Sequence, residues 1–490
     1  MSPRPGNAQA EGLWPLRRLG ILPRPCRHRL PVALLAGLLA LGLTLTATPL
    51  RAQGAAPLVR AAENSPVTAH VRLADGQVIA LRSAGDLQVA VRLLIAQGRM
   101  GEARDLVRAY APGHPDHAVR VAYVDGLAAA AEGNDPEAVR LWRGILAQQP
   151  GLDLVRVQLT GALARLQLHD SARYQAEHLI AAGVDDRIDG RLSGLLRSLD
   201  AARPVQFRGY LSLLPSSNLN NGTDNETVAI GPITGTIPDD QRRQSGLGVA
   251  AGGELSFRRQ LDPHYAAVAA LDARVERYPS IDRTNVTSQL SFGLERRLDH
   301  GAALARVLTG TALKDGAQTY RYAGLSVETN LRFADRWRVY FGPEYRDETF
   351  AYAPGEDGTY LDLPLQIDRF FGPDGFLRVI AGASFGRKEE ERFSFDEARL
   401  GVGYFREFPL GLSVYADAIY AHRLYHDDYP GIDDPREDHR TSIGVTMTKR
   451  DLTLAGFAPQ LSLRHTRTLS NAAFHDTTRT EADLRFVQEF

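Results

Sequence analysis

From about Val205 to the C-terminal Phe490 the chain repeats one pattern, short segments in which every second side chain is apolar. Leu377, Val379, Ala381, Ala383 and Phe385 alternate with Phe376, Arg378, Ile380, Gly382 and Ser384, and Leu412, Val414, Ala416, Ala418 and Tyr420 alternate with Ser413, Tyr415, Asp417, Ile419 and Ala421. Successive side chains of a strand point to opposite faces, so each segment is a strand with two faces. The segments run to about ten residues, the length a tilted strand needs to cross a bilayer. A bilayer offers the backbone no hydrogen-bond partners, so strands cross it only as a closed barrel.

The final segment keeps the scheme. Read back from Phe490, the positions Gln488, Phe486, Leu484 and Ala482 alternate with Glu489, Val487, Arg485, Asp483 and Glu481. Phe490, Phe486 and Leu484 are therefore read as a C-terminal assembly signal, although Gln488 interrupts the apolar face. Counting back gives about fourteen strands, an even number as in most such barrels. They begin near Val205, Gln244, His264, Asn285, Ala302, Tyr320, Trp337, Thr359, Gly375, Ser394, Gly411, His439, Pro459 and Thr478. Tight turns at Leu298 to Gly301, Ala334 to Arg336, Gly372 to Gly375 and Phe408 to Gly411 alternate with longer polar loops at Pro215 to Gln241, Phe350 to Gly358 and His426 to Asp438. With an even count, both barrel ends share the tight-turn side.

Aromatics near strand ends, Tyr278, Phe333, Trp337, Phe350, Phe371 and Phe408, suit the boundary between water and lipid. The face expected inside carries both signs, among them Arg208, Glu254, Asp272, Glu328, Asp362, Arg378, Asp417 and Arg464. Mixed signs argue against a pore dedicated to anions or cations. A hydrated lumen and an internal ion-pair network both fit.

Ahead of the barrel the period changes. Residues 1–52 read as a signal peptide, with basic Arg17, Arg18, Arg24, Arg27 and Arg29 before the apolar stretch Pro31 to Leu45 and small residues up to Ala52. Residues 53–85 are a leader or linker, in which Val71, Leu73, Val78 and Leu81 around Asp75-Gly76 fit either a hairpin or a flexible segment. Residues 86–202 read as a periplasmic helical domain of tetratricopeptide type. Ala103 and Pro115 recur as Ala138 and Pro150, an offset of 35 in each case (138 − 103 and 150 − 115), close to the roughly 34-residue unit. Gly126, Ala138, Trp142 and Pro150 supply the small crossing residues, the bulky filler and the terminator of the clearest unit. Arg203-Pro204 marks the boundary, and residues 203–490 form the outer-membrane barrel.

The 490 residues carry a formal net charge of −1, which provides no electrostatic footprint for nucleic acid. The only cysteine is Cys26, inside the expected signal. No disulfide framework or thiolate metal site is then expected in the exported chain. No phosphate-binding Gly-Lys loop and no Gly-x-Ser-x-Gly elbow occurs, so no enzyme activity and no cofactor is expected. His114, Asp116 and His117 sit beside Pro115 at a repeat junction, and Asp427, Asp428, Asp433, Asp434, Glu437 and Asp438 read as a solvated outer loop. Neither is expected to hold a metal.

The first barrel strand leads into Leu213-Leu214-Pro215-Ser216-Ser217-Asn218-Leu219-Asn220. This Pro-Ser-Ser-Asn-x-Asn run after a helical repeat domain resembles the surface lipoprotein assembly modulators, the Slam family, over most of the mature chain. The resemblance implies an outer-membrane translocon that delivers a particular client, a surface lipoprotein or secreted binding protein often concerned with iron or haem, with the helical domain engaging the client or periplasmic chaperones. Barrel assembly machinery and outer-membrane lipids are the other implied partners. An exopolysaccharide export porin, which also joins helical repeats to a barrel, is the alternative reading. Read on their own chemistry, Asn218 and Asn220 are turn formers whose side chains bond nearby backbone.

Overall fold

The computed structural model describes residues 69–487 apart from 73–75, 77, 111, 231–232, 431, 433, 451 and 453–456. The expected signal peptide, the first part of the leader, and Phe490 lie outside the described residues. A short hairpin, β1 (Ala69–Arg72) and β2 (Val78–Leu81), leads in, with Gly76 between its strands at φ 84°. Ser83 then starts the helices with a capping box: its hydroxyl accepts from the Asp86 N–H, and the Asp86 carboxylate accepts from the Ser83 N–H.

Seven helices follow among the described residues: α1 (Ala84–Ala96), α2 (Met100–Ala109), α3 (His117–Ala131), α4 (Asp135–Gln148), α5 (Asp153–Arg165), α6 (His169–Ala181) and α7 (Asp186–Ala202). Turns at Gly98, Gly133 and Gly183 take positive φ, the conformation glycine adopts without strain. Ala103, Ala138 and Ala172 are fully buried, one per helical pair. Gly126 is tighter still, since a Cβ there would lie 2.4 Å from Trp142 Nε1. That close approach seats the indole at 1% exposure, with its N–H donating to the Tyr123 carbonyl at 3.4 Å. No described helix is long and apolar enough to cross a membrane.

The barrel strands are β3 (Val205–Ser216), β6 (Gly246–Gln260), β7 (Tyr265–Tyr278), β8 (Arg283–Leu298), β9 (Gly301–Lys314), β10 (Ala317–Ala334), β11 (Trp337–Phe341), β12 (Glu344–Phe350), β13 (Gly358–Gly372), β14 (Gly375–Lys388), β15 (Phe395–Phe408), β16 (Leu412–Asp428), β17 (Pro435–Lys449), β18 (Ala458–Ser470) and β19 (Thr477–Val487). A small hairpin, β4 (Thr227–Ile230) with β5 (Ile233–Thr236), stands in the first long loop. All ladders are antiparallel and β19 returns to β3, closing a barrel of fourteen strands in which β11 and β12 are one strand broken at Gly342-Pro343. Gly342 lies opposite Pro364 of β13 and Pro343 opposite Leu363, and since a proline has no N–H to donate, both fall where the ladder is interrupted. Gly342 N–H instead donates to the Pro364 carbonyl, and Val327 N–H to the Pro343 carbonyl, carrying the sheet across the break.

Strand parity sorts the side chains. Leu211, Val307, Leu325, Val402 and Ile443 stand exposed on the outside, the band a lipid phase would cover. Phe333, Phe371 and Phe408 are exposed there too, and Trp337 packs beside Phe333. Tyr278 and Phe350 instead face the lumen: the Tyr278 hydroxyl donates to Glu276, and Phe350 packs on Tyr320 under the Lys388 ammonium. Both share parity with the acids of their strands, which the end-of-strand position does not reveal.

Candidate functional site: seam, clasp and capped mouth

The inner face is knit by ion pairs. Arg399 bridges Asp362 and Glu397, Glu397 also holds Arg423 and Arg440, and Asp368 takes Arg378 in two parallel hydrogen bonds. Asp417 pairs with Arg464 at 3.0 Å, Glu348 with Lys388 at 2.6 Å, and Arg306 with Glu328. The ion pairs that the mixed charges led one to expect are therefore present on the inner face. A cavity of about 360 Å³ remains on the inner side of the β19–β3 junction, lined by Ser216, Arg274, Glu276, Arg464, Asp483 and Arg485.

That junction differs from its neighbours. Strand β3 pairs with β6 along its whole length, from Val205↔Phe257 to Ser216↔Gly246. Toward β19 the described register holds only at Ser216↔Glu481, Leu213↔Leu484 and Ser212↔Arg485. It skips Leu214 and Pro215, and Pro215 has no N–H to offer. Below Ser212, Val205, Phe207 and Leu211 are among the most exposed apolar residues of the barrel, at 56%, 73% and 73%. Leu484 and Phe486, two of the expected assembly-signal residues, also face outward on β19.

At the long-loop end the weak ladder is replaced by a clasp built from the Pro-Ser-Ser-Asn-x-Asn run. Ser217 N–H donates to the Thr480 carbonyl, and Thr480 N–H returns to the Ser217 hydroxyl, both at 2.8 Å. Ser216 hydroxyl accepts from the Asn218 N–H at 3.1 Å. Asn218 is 1% exposed; its amide donates to the carbonyls of Gly222 and Thr478, and its oxygen accepts from the Gly222 N–H. Asn220 binds the returning arm of the loop, donating to the carbonyls of Asp240 and Arg242 and accepting from Gln244 N–H. Gly222 sits where a Cβ would meet the Arg242 backbone at 2.4 Å. Thr223, Asp224 and Asn225 extend the clasp to Ala473, Asp476 and Arg467. The turn-forming role of Asn218 and Asn220 and their place beside the last strand thus occur together.

At the opposite end the helices cover the tight turns. Arg156 of α5 reaches Glu407 at 2.6 Å with neither side chain exposed, and its other contacts are the Gln175 side chain and the Pro150 carbonyl. Tyr174 donates to the same carboxylate at 2.9 Å, and Arg450 approaches it at 3.1 Å. His178 lies between Tyr174 and Phe405 with Nδ1 2.8 Å from the Pro373 carbonyl. Burial pulls its pKa down from 6.5 to about 4, so the ring is neutral at ordinary pH. Further ties run from Arg332 to Asp189 and the Ile180 carbonyl, from Arg258 to Asp200, and from Gly411 N–H to the Ala147 carbonyl. Glu177 feels the inward-facing Arg338 and Arg208, which places the α6 surface at the barrel mouth.

Of the other sequence candidates, Pro115 and Pro150 lie in the turns before α3 and α5. His114 accepts from Asp116 N–H and lies 3.1 Å from Arg120. The acidic run divides: β17 begins at Pro435, earlier than the expected His439, and Asp438 turns inward to Arg436 while Glu437 turns outward.

These features define an outer-membrane barrel whose inner face carries ion pairs, whose first-to-last seam is interrupted at Leu214 and Pro215 among the described residues, and whose tight-turn mouth is covered by tetratricopeptide-like helices. Residues 206–490, more than half of the chain, match the family described as surface lipoprotein assembly modifier, and the chain belongs to that family. A surface lipoprotein assembly modifier of Pasteurella multocida is 20% identical over 79% of this chain and 79% of its own length. Surface lipoprotein assembly modifier 2 of Haemophilus influenzae is 22% identical over 72% and 74%, and surface lipoprotein assembly modifier 1 of Neisseria meningitidis serogroup B is 22% identical over 75% of each. Among solved structures, Salmonella typhi OmpF with daunomycin aligns at a TM-score of 0.35 and 7% identity, over 58% of this chain and 97% of that one. Family and fold together give a role in surface lipoprotein assembly at the outer membrane.

Proposed function

We propose that this chain is a translocon that carries a surface lipoprotein from the periplasm to the cell surface and releases it through the β19–β3 seam. The observation that carries the reading is the interrupted register between β3 and β19, which skips Leu214 and Pro215 among the described residues, whereas β3 pairs with β6 without a break. A strand edge short of partners is where a barrel opens at least cost, because few hydrogen bonds are broken. With long loops outside and tight turns inside, the helical domain lies in the periplasm, where stacked helical pairs present a concave face to an extended or helical segment of the client or of its chaperones. The barrel assembly machinery reads the last strand, and outer-membrane lipids cover the outward apolar band. The client class implied by the resemblance is one that captures iron or haem carriers. Client folding outside the cell supplies the drive, since no nucleotide site is expected in the chain.

The test is protease shaving of intact cells expressing a neighbouring lipoprotein, with and without this chain. Display is expected to depend on it. A client displayed equally in its absence, with the barrel inserted in the control, overturns the reading for that client.

A further inference from the structure

Outside the lumen, on the lipid-facing side of β16 and β17, three ligand-type side chains converge. His422 and His439 are directly paired across the ladder, and their rings stack at 4.6 Å and 4°. Glu437, on the same face of β17, places Oε1 2.7 Å from His422 Nε2 and 3.2 Å from His439 Nε2. The three ligand atoms all lie within 4.8 Å of one another. A tetrahedral zinc ion with bonds of about 2.1 Å spaces its ligands roughly 3.4 Å apart, so small side-chain rotations suffice to seat one. Tyr420 Oη lies 2.7 Å from His439 Nδ1. In the tautomer that carries its proton on Nδ1, His439 donates to Tyr420 Oη and keeps the Nε2 lone pair for a metal, the outer hydrogen bond that metal-bound histidines commonly make.

Position makes the site reachable. His422 stands ten positions up β16 from Leu412 (422 − 412), about 25 Å along the axis of a tilted strand, where the apolar band of such a barrel ends. Tyr420 and Ile443, directly below, are 46% and 53% exposed. The cluster therefore sits at the outer rim, above the lipid-covered belt. Two borderline imidazoles with one harder carboxylate are a ligand set that suits Zn²⁺.

We infer that His422, Glu437 and His439 form a three-ligand zinc site on the outer rim of the barrel, with an outward coordination position for water and Tyr420 as the positioning residue. The ion would join β16 to β17 at the foot of the loop between them.

The experiment is calorimetric titration of Zn²⁺ into the full detergent-solubilised chain, purified without a polyhistidine tag, with Co²⁺ absorption as a second readout. One equivalent is expected, together with the visible band of a tetrahedral Co²⁺ complex. His439→Asn and Glu437→Gln should each weaken binding at least tenfold and abolish the band, and Tyr420→Phe should weaken it by about 10- to 100-fold. Heat-modifiable migration in electrophoresis verifies that each variant is a closed barrel; Glu437→Gln keeps the side-chain shape should the histidine variant not fold. Absence of Zn²⁺ binding by the unaltered chain, or undiminished binding by a folded His422→Ala/His439→Ala double variant, overturns the assignment.

Discussion

Arg156 and Glu407, 251 residues apart in sequence, meet at 2.6 Å with no exposed surface on either side chain. Such a pair adds little when intact, but leaves a costly charge when one partner is lost. Arg450 also faces Glu407, so the two losses are unequal. Arg156→Met leaves the carboxylate compensated and is expected to cost about 3 kcal/mol of docking, whereas Glu407→Gln strands two guanidinium groups and should cost about 5 kcal/mol. Hydrogen exchange of α5 and α6 in the detergent-solubilised chain measures both, and equal losses would contradict the arrangement.

His178 makes the same docking sensitive to acid. Its docked pKa of about 4 lies below the ordinary 6.5, so the undocked form takes up the proton first. The contribution is complete above pH 6.5 and is lost as pH falls toward 4, by up to roughly 3 kcal/mol. Proteolysis of α6 between pH 7 and 5 should accelerate in the natural chain, and His178→Gln should flatten the dependence.

A disulfide across the seam tests whether it must open. Leu213 and Leu484 are a registered cross-strand pair, and the only natural cysteine, Cys26, falls in the expected signal peptide. Leu213→Cys/Leu484→Cys is expected to block client display when oxidised and restore it on reduction. Full display with the bond formed would falsify the lateral exit.

The clasp can be weakened separately. Asn218→Ala removes the donors to the Gly222 and Thr478 carbonyls and the acceptor at 2.9 Å of the Gly222 N–H, which keeps only its 3.3 Å bond to Asn220 Oδ1. The expected cost is about 1–3 kcal/mol, seen as a lower temperature for the loss of the compact electrophoretic form. Ser217→Ala, which removes one bond to Thr480 N–H, should cost less.

In the helical domain, Gly126→Ala forces Trp142 from its seat, since the added carbon would lie 2.4 Å from the indole nitrogen. About 1–3 kcal/mol is expected, read from thermal melting monitored at the tryptophan. A neutral result would mean that the two helices separate without loss.

The strands were legible because a two-faced wall imposes a period of two on each: expected starts at Val205, Trp337 and Gly375 are the observed ones. The break at Pro343 was not, because two prolines in adjoining strands read as flaws until the register sets Gly342 opposite Pro364. Asn218 was legible as a turn former, while its bond to Thr478 depends on closure of the barrel. Register hid the other pairings too: His422 and His439 become neighbours only when β16 lies against β17, and Glu407 looks like any strand-end acid until α5 is folded onto it.

Because Glu407 belongs to a late strand and Arg156 to an early helix, their pairing also carries information about time. The helices precede β15 in the chain, and until that strand is in place Arg156 has no counter-charge from Glu407. The ties to Arg258 and Arg332 can form on earlier strands, but the buried one waits for β15, so the full grip of the helices reports that the wall beneath them has been made.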